Sequence, residues 1–193
     1  MRIQEYYDNT EAEMPRKNVK YFIENFETIP ENSIELGCGA GNDTVYLIKK
    51  GWNVTAIDRE DVEERIKKRL NDEEKQKFIF RKQKFENLEL KENKLIVANY
   101  CIPFCNKKCF KELWNKIEKS IKKDGYFVGN FFGNNDEWAK TKKDMTFLTK
   151  EEVLNLFKEF EIKNFKEIEK NGMTGMGKIK HWHTFNVIAQ KIK

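Results

Sequence analysis

Apolar positions along the chain fall alternately into short continuous runs and helical stripes. The runs near 32–37, 53–58, 77–82, 94–99 and 125–132 predict strands, and the amphipathic stretches near 16–26, 42–50, 61–75, 107–122 and 149–158 predict helices. The clearest helix carries Phe110, Leu113, Trp114, Ile117 and Ile121 at helical spacing, so one stripe faces the sheet. Asp124-Gly125 predicts its stop, and Thr149-Lys150-Glu151-Glu152 opens the last helix with a capping-box pattern. Beyond that helix the alternation ends. Two extended segments, at about 160–169 and 181–191, are joined by a glycine-rich stretch over 171–177 and predict a long hairpin closing one side of the sheet. Strands and helices in this rhythm define an α/β class with a mostly parallel sheet.

One passage names a ligand. Ile34-Glu35-Leu36-Gly37-Cys38-Gly39-Ala40-Gly41-Asn42-Asp43 places three glycines at every second position between a strand and a helix. Glycine there lets the chain turn tightly and bring its backbone close to a ligand, which a Cβ would block. A dinucleotide loop spaces its glycines G-x-G-x-x-G, but Asn42 follows Gly41 here, and a carboxylate at Glu35 sits badly beside a pyrophosphate. Near a ligand amino group the same carboxylate is favourable, because a charge-assisted hydrogen bond is the stronger kind. Asp58 closes the next apolar run, where a carboxylate accepts from both hydroxyls of a ribose. The pattern fits a nucleoside cofactor across the carboxyl edge of the sheet, S-adenosylmethionine better than NAD. A glycine-rich βα turn without a ligand is the alternative.

Length and charge narrow the partners. The 193 residues are enough for one domain with a substantial core. The 37 basic and 32 acidic residues, net +5, are interleaved, whereas nucleic-acid binders concentrate charge on one face or helix, so nucleic acid is not the expected partner. No stretch approaches the ~20 apolar residues of a membrane span, and the first residues lack the apolar core of a signal peptide. A cytoplasmic protein with reduced cysteines is expected. Residues 1–14 form an N-terminal segment ahead of a single domain at 15–193. With Tyr6 and Tyr7 that segment is placed either to close over a pocket as a lid or to fray. The stretch 132–138 offers a second lid. Oligomeric state is left open.

The wording at 35–44 and 51–58 resembles the class I S-adenosylmethionine-dependent methyltransferases. Phe85-Glu86-Asn87-Leu88, Pro103-Phe104-Cys105, Asp144-Met145-Thr146-Phe147 and Lys180-His181-Trp182-His183 are similar, more narrowly, to the small bacterial group related to the tellurite-resistance methyltransferase. The resemblance runs from about residue 15 to the C-terminus. It implies a Rossmann-like fold: a mostly parallel seven-stranded sheet with an antiparallel C-terminal hairpin strand and helices on both faces. It implies S-adenosylmethionine as cofactor, held by Glu35, Gly37, Cys38, Gly39, Ala40, Gly41, Asn42, Asp58, Arg59, Phe85, Glu86, Asn99 and Tyr100. In that arrangement Asn99 contacts the methionine part through its backbone, Phe85 and Glu86 meet the adenine, and Tyr100 and Phe104 wall the transfer site. Lys84 stands where the family often has Asp, so no side-chain contact to the adenine N6 is expected there.

The implied acceptor is a small thiol, or a selenium or tellurium oxyanion. Asn99-Tyr100-Cys101-Ile102 departs at both proline positions from the Asn/Asp-Pro-Pro-Tyr/Phe tetrad of base amino-methyltransferases, which argues against an exocyclic base nitrogen. An RNA or protein methyltransferase of the same fold, and a non-catalytic module that binds S-adenosylmethionine, are the rival readings.

Methyl transfer asks chiefly for a near-attack geometry, and for a base only when the acceptor must lose a proton. His181 and His183, the only histidines, lie two apart in an extended run and point to one face of it. Imidazoles there serve as base or anion partner, or are a hydrogen-bonded, partly buried pair. His183, His181 and Tyr100 are the candidate catalytic residues. No metal is expected, since nothing near the histidines in sequence completes a four-ligand zinc set. Cys101, Cys105 and Cys109 are spaced four apart, but Pro103 interrupts any helix through 101–105. With Cys38 they read as small buried hydrophobes.

Overall fold

The computed structural model describes residues 3–11 and 13–193, so residues 1, 2 and 12 of the predicted lid lie outside the described part. Five strands run in parallel: β1 (Asn32–Leu36), β2 (Asn53–Asp58), β3 (Phe78–Lys82), β4 (Asn93–Ala98) and β5 (Ile121–Phe132). A terminal hairpin of β6 (Phe160–Met173) and β7 (Ile179–Lys191) completes a seven-stranded sheet ordered β3-β2-β1-β4-β5-β7-β6. β7 is antiparallel to both neighbours. The order reverses between β1 and β4, and crevices form at such switch points outside the carboxyl ends of the strands.

Both faces of the sheet are covered. Helices α1 (Ile3–Thr10), α2 (Lys17–Asn25), α3 (Asn42–Lys49) and α4 (Glu63–Lys67) lie over one face, where Phe22, Leu47, Trp52 and Ile66 form a core with Val54, Val97 and Ile188. On the other face α6 (Lys107–Ser120) and α7 (Lys150–Leu156) cover Phe127, Phe131 and Phe185. The predicted stripe of α6 is the seam: Trp114 stands 5.3 Å from Phe127 and 5.0 Å from Phe157, ring centre to ring centre. Alternation along β7 sends Phe185, Val187 and Ala189 to the α6 side and Ile188 to the α2 side. β6 closes the sheet as an edge strand rich in Lys and Glu, which discourages edge-to-edge pairing. Among the described residues no helix is long and apolar enough to cross a membrane.

Two boundaries differ from the sequence reading. The single helix expected at 61–75 is broken into α4 and a short α5 (Asp72–Lys75), because Asn71 restarts the chain with a capping box to Glu74. α6 ends at Ser120 rather than at Asp124-Gly125, and Ile121 already pairs opposite Asn93 of β4. Ile121 satisfied the helical stripe and the strand face at once, which hid the junction. The left-handed residue is Asp124 (φ 60), while Gly125 is needed because a Cβ would lie 2.9 Å from the Lys94 carbonyl oxygen.

Candidate cofactor and acceptor site

The turn from β1 into α3 is built on left-handed glycines, with φ of 62 at Gly37, 55 at Gly39 and 78 at Gly41. L-residues rarely adopt that region. A Cβ on Gly37 would run into the Cys101 side chain, and one on Gly41 into Ile66. A Cβ on Gly39 would meet only the Tyr7 ring, at 3.6 Å. The outer glycines therefore answer to internal packing, and the middle one faces the cleft. Cys38 N–H donates to the Ile57 carbonyl (3.1 Å) and Gly41 N–H to the Cys38 carbonyl (2.8 Å), which fixes the loop against β2. The Ala40 carbonyl accepts from Arg69 (2.9 Å).

Asp58, at the end of β2, is the centre of the site. Its Oδ2 accepts the Gly39 N–H at 2.9 Å. Its Oδ1 accepts the Glu60 N–H at 3.0 Å and the Tyr7 hydroxyl at 3.1 Å. The last bond brings α1 down onto the glycine turn and buries Tyr7, and burial beside Asp58 pushes the phenol far above its ordinary value. Arg65 of α4 pairs with Asp8 (2.6 Å) and with Glu11, holding α1 from its other side.

Behind the loop lies a buried polar network. Glu35 is buried and accepts from the Thr44 hydroxyl; burial, then Asp43 and Asp58, raise its pKa well above the carboxylate range. Asp43 accepts the Arg16 N–H (2.7 Å) and the Asn99 amide (3.0 Å), and burial raises its pKa against the pull of those bonds. Asn99 accepts from Asn18 (2.6 Å) and Asn130 (3.3 Å), and Asn130 in turn accepts the Tyr100 N–H (2.9 Å). This last bond holds Tyr100 at φ 52 after β4. Asn42 donates to the Thr10 carbonyl (2.7 Å) while its buried Oδ1 has no partner. A cleft-facing glycine, a ribose-competent carboxylate and an orphaned acceptor together fit a nucleoside that carries an amino group.

The remaining predicted cofactor residues are less engaged. Arg59 has a side chain 63% exposed and pairs with Glu60 (3.5 Å). Glu86 is exposed, and Phe85 packs at the margin of the core beneath α6.

Past Tyr100 the carboxyl edge becomes aromatic. The Tyr100 ring centre lies 6.1 Å from Phe132 and 5.9 Å from Trp182, with Trp182 5.7 Å from Trp138. Phe104, 55% exposed, closes the group at 6.2 Å from Trp138. Two cations lie against these rings. The Arg16 guanidinium sits 5.1 Å above Tyr100. The Lys180 ammonium lies 3.9 Å from the Trp182 ring centre and 4.0 Å from that of Trp138. Lys180 is buried and ion-paired to the buried Asp136, which also accepts the N–H groups of Trp138 (3.0 Å) and His183 (3.1 Å).

Of the two readings left open for the histidines, the geometry is that of a hydrogen-bonded pair. Lys180 and Trp182 face Tyr100, so alternation turns His181 and His183 to the opposite face of β7. His183 is buried; its Nδ1 accepts the Asn135 N–H (3.2 Å), so Nε2 carries the proton and donates to Glu167 (3.1 Å). His181 bonds Glu169 (3.1 Å) and Asn171 (3.0 Å). Glu167, Glu169 and His183 bring three donor atoms within 4.8 Å of one another, a grouping that sequence separation concealed. It is a poor cation site, because Nε2 would have to pass its proton to a nitrogen that already faces a backbone N–H. Cys38, Cys101 and Cys105 are buried free thiols; burial raises all three, Cys105 up to about 11.

Sequence reasoning passed over Arg16, Asp136 and Lys180, which look like surface charges in a chain so rich in them. The usable signal was parity: Lys180 and Trp182 share a strand face, and Trp138 lies in the segment already marked as a lid.

Fold and loop together define the class, a Rossmann-like α/β protein whose first strand-to-helix turn is shaped for a nucleoside cofactor. Residues 2–177 match the family described as tellurite resistance protein TehB, and the chain belongs to that family. It is 32% identical over 108 residues to carboxy-S-adenosyl-L-methionine synthase of Nautilia profundicola, over 55% of this chain and 46% of that protein. The chain thus spans under half the length of that relative. The fold is similar to that of TehB from Haemophilus influenzae, with TM-score 0.69, 17% identity, and 91% of this chain and 67% of that chain covered. It is also similar to 1,6-didemethyltoxoflavin-N1-methyltransferase of Burkholderia thailandensis, with TM-score 0.71 and 16% identity over 99% of this chain and 85% of that one.

Proposed function

We propose that the protein transfers a methyl group from S-adenosylmethionine to a small-molecule acceptor. The observation that carries this reading is Asp58, fixed by the Gly39 N–H beside a glycine turn whose middle member faces the cleft. When bound, the cofactor supplies an electrophilic methyl carbon on a sulfonium sulfur. Gly37–Gly41 would take its backbone contact, Asp58 its ribose hydroxyls, and the orphaned Asn42 Oδ1 its amino group. Glu35 acts at one remove, holding the first turn of α3 through Thr44. Arg16, cationic and poised over Tyr100, is placed for the cofactor's carboxylate.

Of the acceptors implied by the resemblance, soft chalcogen centres suit this edge better than oxyanions. Ring faces carry negative potential, and a strongly hydrated anion loses water there without repayment by hydrogen bonds. Both histidines stay outside the transfer step in this reading, since they face away from Tyr100 with their ring nitrogens occupied. The test is labelled S-adenosylmethionine incubated with a panel of thiols, organic sulfides and selenides, amines and chalcogen oxyanions. Release of S-adenosylhomocysteine with label in an acceptor supports the reading. Tight cofactor binding with no turnover on any acceptor would make the protein a sensor instead.

The N-terminal helix completes the proposal as a lid. Tyr7 donates to the oxygen of Asp58 that a ribose hydroxyl would use, so α1 must shift for the cofactor to settle. Tyr7→Phe removes that competitor and leaves the ring. It is expected to tighten S-adenosylmethionine binding severalfold in calorimetry, by part of the ~1.5–3 kcal/mol typical of a hydrogen bond to a charged group. Weaker binding would instead make the hydroxyl a cofactor contact.

A further inference from the structure

Resting on that methyltransferase reading, we propose that the acceptor is an uncharged lone-pair donor, an organic sulfide, selenide or weakly basic tertiary arylamine, whose methylated product is an onium cation. Two independent observations carry it. The first is the aromatic box on Tyr100, Phe104, Phe132, Trp138 and Trp182. Aromatic faces within about 6 Å attract a cation, and such cages are the usual receptors for quaternary ammonium groups. This one already holds an ammonium against two indoles, at 3.9 and 4.0 Å. Asp136 neutralises that charge on the spot, so the lysine keeps the rings in place without making the box positive. Phe104, the exposed member, stands 6.3 Å from Phe132 and gives the box a side open to solvent.

The second is the want of a base. Among the described residues the ionisable groups at the box are Lys180 and Asp136, bound to each other, Arg16, which offers donors only, the phenols Tyr100 and Tyr6, and Glu137 beside Trp138, whose carboxylate accepts the His181 N–H at 3.0 Å. Burial raises the Tyr100 phenol, so it offers no phenolate. The histidines are on the far face of β7. An acceptor that had to lose a proton would find at the box no imidazole and no carboxylate free of a partner. An uncharged donor needs no such help: its lone pair forms the bond to the methyl carbon as the carbon–sulfonium bond breaks. The electron pair of the broken bond stays on the departing sulfur, which becomes a neutral thioether. No proton is released, and the positive charge moves onto the acceptor, inside the box.

The test has a binding arm and a turnover arm, each with the full chain. In the first, choline and its uncharged isostere 3,3-dimethylbutan-1-ol are titrated against the protein with S-adenosylhomocysteine present, following indole fluorescence. The cation is expected to bind at least tenfold more tightly, and Phe104→Leu and Trp138→Leu to erase that preference while cofactor affinity stays unchanged. In the second, dimethyl sulfide, dimethyl selenide and N,N-dimethylaniline are compared with 2-mercaptoethanol and selenite, and labelled onium product is collected on a cation exchanger. One of the three neutral donors is expected to exceed thiol and selenite at least tenfold in kcat/KM, and the leader distinguishes a chalcogenide from an amine acceptor. Equal binding of cation and isostere, faster turnover of thiol or selenite, or no turnover of the neutral donors by protein that binds the cofactor would each overturn the inference. Methyl transfer to the thiol or selenite would still leave the methyltransferase reading standing; failure to bind S-adenosylmethionine at all would remove both.

Discussion

Replacing Lys180 by alanine is expected to destabilise the protein by ~3–5 kcal/mol, the range for breaking a buried ion pair by removing one partner. Lys180 and Asp136 have side chains only 2% and 0% exposed, so water cannot take the place of the lost ammonium. The carboxylate left behind is pinned by the Trp138 and His183 N–H groups and cannot swing outward. For a chain of this length each kcal/mol moves the melting temperature by roughly 2–4 °C, so a fall of about 10 °C is expected in calorimetry. Removing both charges should cost far less. The double variant Lys180→Met with Asp136→Asn keeps an acceptor for one of the two N–H groups and an apolar stem between the indoles, and it should recover part of the loss. A single variant as stable as the parent would show that the pair is hydrated in solution and that the indoles are not held by it.

The second large effect is on the cofactor. Asp58→Ala is expected to weaken S-adenosylmethionine binding by ~1–3 kcal/mol, the cost of leaving buried polar partners unmatched. That corresponds to roughly 5- to 150-fold in affinity. The substitution also releases the Gly39 and Glu60 N–H groups, so part of the loss comes from a looser turn. A double-mutant cycle with Tyr7→Phe separates the terms. If the Tyr7 hydroxyl competes for Asp58, its removal improves binding in the parent and does nothing once Asp58 is gone. Unchanged affinity in Asp58→Ala would take this carboxylate out of the cofactor site.

Much of the scaffold was legible because local and tertiary demands agreed. The stripe Phe110–Ile117 packs where its spacing says, and the glycines of the β1–α3 turn adopt the left-handed backbone that their spacing requires. Asp58 ends its strand beside that turn, as a carboxylate at the close of a run should. What escaped the sequence were features set by contacts between distant segments. Tyr7 and Asp58 are 51 positions apart, and nothing local says that α1 bends back onto the turn. The histidines were candidates for the cleft because imidazole is chemically suggestive. A strand face, however, is decided by its whole alternating set, and the burial of Phe185, Val187 and Ala189 beneath α6 and α7 commits His181 and His183 to that side. Lys180 and Trp182 thereby inherit the cleft. Lysine reads as surface in a chain with 37 basic residues, and only the fold distinguishes the one that is sealed between indoles.

A crystal structure with S-adenosylhomocysteine tests most directly whether a sulfonium nucleoside is seated over Gly37–Gly41. The expected result has both ribose hydroxyls on Asp58, the amino group toward Asn42, and the Tyr7 hydroxyl moved off the carboxylate. A cleft that stays empty at saturating ligand, with Tyr7 still bonded to Asp58, or a ligand bound elsewhere on the chain, would contradict it.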